Sequence, residues 1–71
     1  MPAASIEVLV NGEPRRLGAG STLADLLAEL GRHPRTVAVE HNGAILPRDR
    51  YAATPLAGGD RVEIVGFVQG G

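Results

Sequence analysis

The sequence predicts an α+β domain, a small mixed sheet of about four to five strands with one covering helix. Three observations predict it. Short β-branched runs end in turn dipeptides. A single leucine stripe has helical spacing. The chain has only 71 residues, of which 44% are apolar. A chain this short buries only about 60% of the surface its unfolded form exposes, so one helix laid across one sheet face is the economical core.

Ile6-Glu7-Val8-Leu9-Val10 reads as the first strand. Asn11-Gly12 follows, and both residue types accept the positive φ of a type I′ hairpin turn. The return strand covers roughly Glu13 to Leu17. Pro14 gives it no ladder donor at that position, which suits a sheet edge. Gly18-Ala19-Gly20 is a loop. The one helix covers Ser21 to Gly31. Thr22 is its N-cap, Asp25 stands in a capping-box position, and Ser21 is read as a second capping residue. Leu23, Leu26, Leu27 and Leu30 recur at i, i+3, i+4 and i+7, with Asp25 and Glu29 turned outward. Gly31 suits the C′ position and Pro34 prevents continuation.

Thr36 to His41 reads as a strand. Asn42-Gly43 is a second hairpin signal, and Ala44-Ile45-Leu46 a short return strand ended by Pro47. Arg48 to Ala52 is a short helical turn or loop. Gly58-Gly59-Asp60 is a tight turn, and Arg61 to Val68 is the last strand. Gln69-Gly70-Gly71 is a flexible tail on a single domain spanning 1–71. The expected core is Ile6, Val8, Val10, Leu23, Leu26, Leu27, Leu30, Val37, Val39, Val62 and Ile64.

Composition narrows the function. There is no cysteine, which removes disulfides, thiolate catalysis and cysteine-ligated metals. The net charge is −1, and seven cationic residues are scattered among eight acidic ones. That pattern gives no footprint for nucleic acid, and one Phe, one Tyr and no Trp give no stacking platform. No apolar run has the length of a membrane span or the form of a secretory signal, so a cytoplasmic location is expected. All seven cations are arginine. Genomic composition accounts for that; so would the advantage, to an activated C-terminus, of carrying no amine that could attack it.

Conventional catalytic parts are sparse. His33 and His41 lack metal-ligand spacing, and each reads as structural, His33 beside a helix end and His41 before a turn. Ser5, Ser21 and the threonines have no base in a nucleophile motif. Gly18-Ala19-Gly20 lacks the Lys-Ser/Thr of a phosphate loop. Arg48 and Arg50 read either as solvated or as partners for acidic groups on another protein.

The end of the chain carries the chemistry. Gly70-Gly71 follows an apolar strand. A carboxylate is a poor electrophile, but adenylation gives it a good leaving group, and a sulfur donor can then replace AMP. Two residues without Cβ atoms can enter a narrow slot beside Mg-ATP that side chains would block, where the reacting atoms must meet in line. Strand alternation sends Val65 and Phe67 to the face opposite Val62 and Ile64. There they form an apolar docking patch for a partner, unless a bulge at Gly66 returns one of them to the core.

These stretches resemble the ThiS family of sulfur carriers, from about Ile6 to Gly71. The matching residues are Val10-Asn11-Gly12-Glu13-Pro14, Ser21 to Leu27 with Leu30-Gly31, His41 to Arg48, Gly59 to Val65, and Gly70-Gly71. Tyr51 takes the place where the family often has a larger aromatic. Gln69 stands where a small residue is more usual. The resemblance implies a ubiquitin-like β-grasp fold and a role in thiamine biosynthesis as a protein substrate rather than an enzyme. A ThiF-like adenylating enzyme, using ATP and Mg, would activate Gly71, with Gly70 giving access to it. A persulfide donor would yield the thiocarboxylate, and thiazole synthase would take the sulfur. No cofactor is expected on the chain itself. Other readings fit the same tail: a related carrier for molybdopterin or tRNA thiolation, a ubiquitin-like modifier, or a β-grasp interaction module.

Overall fold

A computed structural model describes residues 4–66. Strand β1 (Ser5–Val10) turns through Asn11-Gly12 into β2 (Glu13–Gly18), and helix α1 (Leu23–Glu29) follows. After a 3₁₀ turn at Pro34–Thr36 come β3 (Val37–His41) and β4 (Ala44–Leu46), then a second 3₁₀ turn at Arg48–Arg50 and β5 (Arg61–Gly66). The sheet order is β2-β1-β5-β3-β4. Both hairpins are antiparallel, β3 and β5 are antiparallel, and β1 and β5 run parallel. The expected mixed sheet with one helix is therefore present, and the last strand lies at its centre.

The local chemistry behind each element is explicit. Asn11 and Gly12 have φ of 51° and 84°, and Asn42 and Gly43 have 52° and 87°, the left-handed pair that a type I′ turn requires. Helix α1 opens with a complete capping box. The Asp25 N–H donates to Thr22 Oγ1 at 3.2 Å, and the Thr22 N–H donates to Asp25 Oδ2 at 2.9 Å. Ser21 is not part of this cap; its hydroxyl donates to the Gly18 carbonyl at 2.7 Å. The helix is shorter than the pattern Ser21–Gly31 implied, because Leu30 is its C-cap.

Leu23, Leu26 and Leu27 are fully buried against Val8, Val37, Val39, Val62 and Ile64. Burial of each such leucine contributes about 1.5–3 kcal/mol relative to exposure. Ile6, Val10 and Leu30, expected in the core, are only half-buried at its margin. Leu17, Tyr51 and Leu56, which were not expected there, complete it. Leu17 registers opposite Ile6 on the inner face. Leu56 is drawn in by its N–H, which donates to the Ser21 carbonyl at 2.8 Å. Thr36 belongs to the 3₁₀ turn rather than to β3, because the fixed φ of Pro34 favours the start of a turn. No helix among the described residues is long and apolar enough to cross a membrane.

Candidate functional site

The C-terminal residues follow the central strand of the sheet in the sequence, so the geometry that matters is what holds β5. On one side β3 pairs with it in unbroken register, from His41 opposite Val62 to Val37 opposite Gly66. On the other side β1 pairs only through Leu9 and Val10, opposite Arg61 and Val62. Beyond Val10 the Asn11 side chain substitutes for a strand. Its Oδ1 accepts the Ile64 N–H at 2.7 Å, and its Nδ2 donates to the Ile64 carbonyl at 3.2 Å. A side-chain amide has the same donor and acceptor pair as a peptide group, which is why asparagine can extend the ladder by one step.

The start of β5 is held by a polar cluster. Asn42 Oδ1 accepts the Arg61 N–H at 2.8 Å, and Asn42 Nδ2 donates to Asp60 Oδ1 at 3.2 Å. Asp60 Oδ2 lies 2.8 Å from His41 Nε2 and accepts the Ala57 N–H at 2.9 Å. Burial alone would raise the Asp60 pKa. The hydrogen bonds from His41, the Ala57 N–H and Asn42, with the His41 charge, outweigh it and hold the carboxyl below its ordinary 3.8. The structural reading of His41 thus holds, though its partner was not foreseen. His33 sits elsewhere than expected: its Nδ1 accepts the Arg35 N–H at 3.1 Å and caps the 3₁₀ turn, not the end of α1.

Val65 is 61% exposed on the face of the sheet away from α1. The continuous β3–β5 register leaves no bulge within β5 as far as Gly66, so nothing there turns Val65 inward. Leu9 and Ile45 are the other large apolar side chains exposed among the described residues. Both lie on this same face, opposite in register to Arg61 and Glu40. Glu40 and Glu63 stand directly opposite each other there, a like-charge pair of the kind that costs stability in an isolated sheet. Arg48 and Arg50 are exposed in the 3₁₀ turn that follows β4. Phe67, Gly70 and Gly71 lie outside the described residues.

One contact was invisible in the sequence. A Cβ built at Gly66 would lie 2.5 Å from Arg32 Nη2 and 3.8 Å from its Cζ. The Arg32 guanidinium therefore occupies the space of a Gly66 side chain, at the last described residue before the tail.

Among the described residues, five strands in this order, with β5 at the centre and one helix across one face, define a ubiquitin-like β-grasp protein. The ThiS family model matches residues 8–71, the terminal glycines included. The chain belongs to the ThiS family. It is 42% identical over 64 residues to the sulfur carrier protein ThiS of Thermus thermophilus, covering 90% of this chain and 98% of that one. The crystal structure of thiamine biosynthesis protein ThiS from Geobacter metallireducens superposes with a TM-score of 0.79 at 33% identity, covering 93% of this chain and all of the other. The thiazole synthase of Paramagnetospirillum magneticum is 44% identical over 66 residues, 93% of this chain. The chain spans about a fifth of the length of that relative.

Proposed function

We propose that this ThiS-family sulfur carrier of thiamine biosynthesis works through the carboxylate of Gly71, which is adenylated, converted to a thiocarboxylate and consumed by thiazole synthase. The observation that carries the reading is the family match running through Gly70-Gly71 on a tail that follows the central strand. In the first step a Gly71 carboxylate oxygen attacks the α-phosphorus of Mg-ATP on a ThiF-like adenylating enzyme, and pyrophosphate leaves. The terminal sulfur of a persulfide donor then attacks the acyl carbon and displaces AMP. A thiol reduces the resulting acyl disulfide and frees the thiocarboxylate. ATP and Mg belong to the activating enzyme; the carrier is a substrate and binds no cofactor of its own.

Each step favours this architecture. The terminus must visit separate active sites while the partner holds a rigid body, and the doubly held β5 supplies that body. Val65 on the open face, with Phe67 two positions on, forms the apolar docking patch beside the tail. The thiazole synthase relatives, in which a segment like this chain is part of a synthase polypeptide, support the synthase as the sulfur acceptor. A cytoplasmic location suits partners that use ATP and a persulfide.

Intact-protein mass spectrometry after incubation with an adenylating enzyme, Mg-ATP and a persulfide donor tests the reading. The expected result is a mass gain of one oxygen exchanged for sulfur, lost entirely when Gly71 is deleted. An unmodified mass with the wild-type chain overturns it.

A further inference from the structure

Beyond Ile64 no strand among the described residues lies beside the β1-facing edge of β5. The Asn42 N–H donates to the Arg61 carbonyl at 2.8 Å, so Asn42–Arg61, Glu40–Glu63 and Ala38–Val65 are the hydrogen-bonded pairs of the β3–β5 ladder. Ile64 and Gly66 therefore turn their N–H and C=O toward β1. Ile64 is met by the Asn11 amide. Gly66 is next in line, and no strand among the described residues pairs with it there, because the β1–β5 ladder stops at Val10. A cleft of about 330 Å³ adjoins this edge on the helix side. Its floor is Val10, Leu30 and Ile64, and its charged walls are Arg15, Arg32 and Glu13.

The charges in the cleft are unevenly matched. Arg15 Nη2 lies 3.5 Å from Glu29 Oε1, a partly exposed pair, while Arg15 Nε is buried with no hydrogen-bond partner. Arg32 makes no ion pair among the described residues. Its guanidinium lies over Gly66, on the inner face that Val62 and Ile64 share.

We infer that this edge and cleft receive an extended segment of the enzyme that adenylates the C-terminus, with a carboxylate side chain opposite Gly66. The inference rests on the carrier reading above. Laterally aligned residues of neighbouring strands put their side chains on the same face. The partner residue opposite Gly66 thus points to the inner face, beside the Arg32 guanidinium, and an Asp or Glu there gains a charge-assisted, bidentate hydrogen bond. The residues on either side of it point to the open face, beside Val65, where apolar side chains fit. The segment recognised has the alternation apolar–acidic–apolar, and its backbone adds a strand to β5. Gly66 is the last described residue, and Gly71 follows five positions later, at most about 17 Å away along an extended chain. An enzyme that grips the strand at Gly66 thus holds the terminal carboxylate within that reach of its ATP.

Steady-state ATP–pyrophosphate exchange, with this chain as the varied substrate of a ThiF-like adenylating enzyme, tests the inference. Arg32→Glu is expected to raise KM about tenfold and Arg32→Gln about threefold, with kcat within about twofold of wild type, because the lost contact serves docking alone. Gly66→Val, which places methyl groups where the guanidinium lies, is expected to raise KM in the same way. Arg35→Glu, an exposed cation outside the cleft, is expected to leave KM within about twofold. Circular dichroism identifies any variant that has lost its fold. If the wild-type chain supports exchange and neither Arg32→Glu nor Gly66→Val raises KM, the cleft assignment is wrong, even if transfer to thiazole synthase is slowed. If the wild-type chain supports no exchange, the carrier reading and this inference fall together.

Discussion

The two Asn-Gly turns are alike in sequence and in backbone, yet they do different work for the same strand. Asn11 and Asn42 have φ of 51° and 52°, and each sends its side chain to β5. At the tail end, Asn11 exchanges both its amide bonds with the Ile64 backbone, and no ionisable group takes part. At the start of the strand, Asn42 shares its bonds between the Arg61 N–H and the Asp60 carboxylate, inside a cluster that includes His41. One end is pinned by a neutral mimic of the backbone, the other by a charged network. A local signal can fix a turn, but what the turn residue's side chain does depends on the strand that arrives beside it.

Substitution by glycine separates the two uses, because glycine keeps the positive φ and removes only the side chain. Asn11→Gly leaves the half-buried Ile64 N–H and C=O without their partner and is expected to cost about 2 kcal/mol. Asn42→Gly affects more exposed groups that water can satisfy and is expected to cost about 1 kcal/mol. Urea denaturation of the two variants measures the difference. Equal losses would mean that the Asn11 amide is no better than a solvated contact, and the contrast between the two ends of β5 would collapse. Asn11→Ala adds the strain of a left-handed alanine, roughly a further 1 kcal/mol.

The charged end carries a pH dependence that the neutral end lacks. The Asp60 carboxyl is held below 3.8 in the folded protein. Its contribution is therefore present above the ordinary carboxylate pKa and is lost as pH falls through the depressed folded value. Asp60→Asn is expected to cost up to about 1 kcal/mol near neutral pH and progressively less in acid. Denaturation midpoints between neutral pH and pH ~2.5 check this. The Asn11→Gly deficit should stay constant over the same range until the fold itself fails. A wild-type to Asp60→Asn difference that does not shrink in acid would show that the cluster does not depend on the Asp60 charge.

Much of this was legible in the sequence, for identifiable reasons. The hairpins, the leucine stripe and the capping box depend on neighbours within a few residues, so spacing alone places them. The outward position of Val65 follows from alternation with Val62 and Ile64. The missed features depend on contacts across the fold. Leu17 ends the polar run Glu13-Pro14-Arg15-Arg16, which gives no alternation to mark its inner face. Tyr51 and Leu56 lie in irregular segments, where burial has no period. His41 and Asp60 meet only because β3 and β5 pair in one particular register. Arg32 covers Gly66 only because the chain after α1 passes the end of β5. The glycine at position 66 therefore reads in the sequence as a strand residue or the site of a bulge, whereas in the structure a guanidinium fills the place of its side chain.

The smallest expected effect on stability falls on the open face, and it sharpens the contrast between holding β5 and presenting it. Val65 is 61% exposed and registers opposite Ala38. Val65→Thr keeps the β-branched shape, so the strand preference survives. Its stability is expected to change by no more than about 0.5 kcal/mol. The same substitution puts a hydroxyl where a partner would bury a methyl group, a loss of roughly 1 kcal/mol in docking, or about fivefold in the KM for adenylation. Asn11→Gly should show the opposite weighting, with a lower denaturation midpoint as its main effect. If Val65→Thr leaves KM unchanged, the open face around Val65 is solvent-facing in the activation complex, and docking must rest on the tail and the edge beside Gly66.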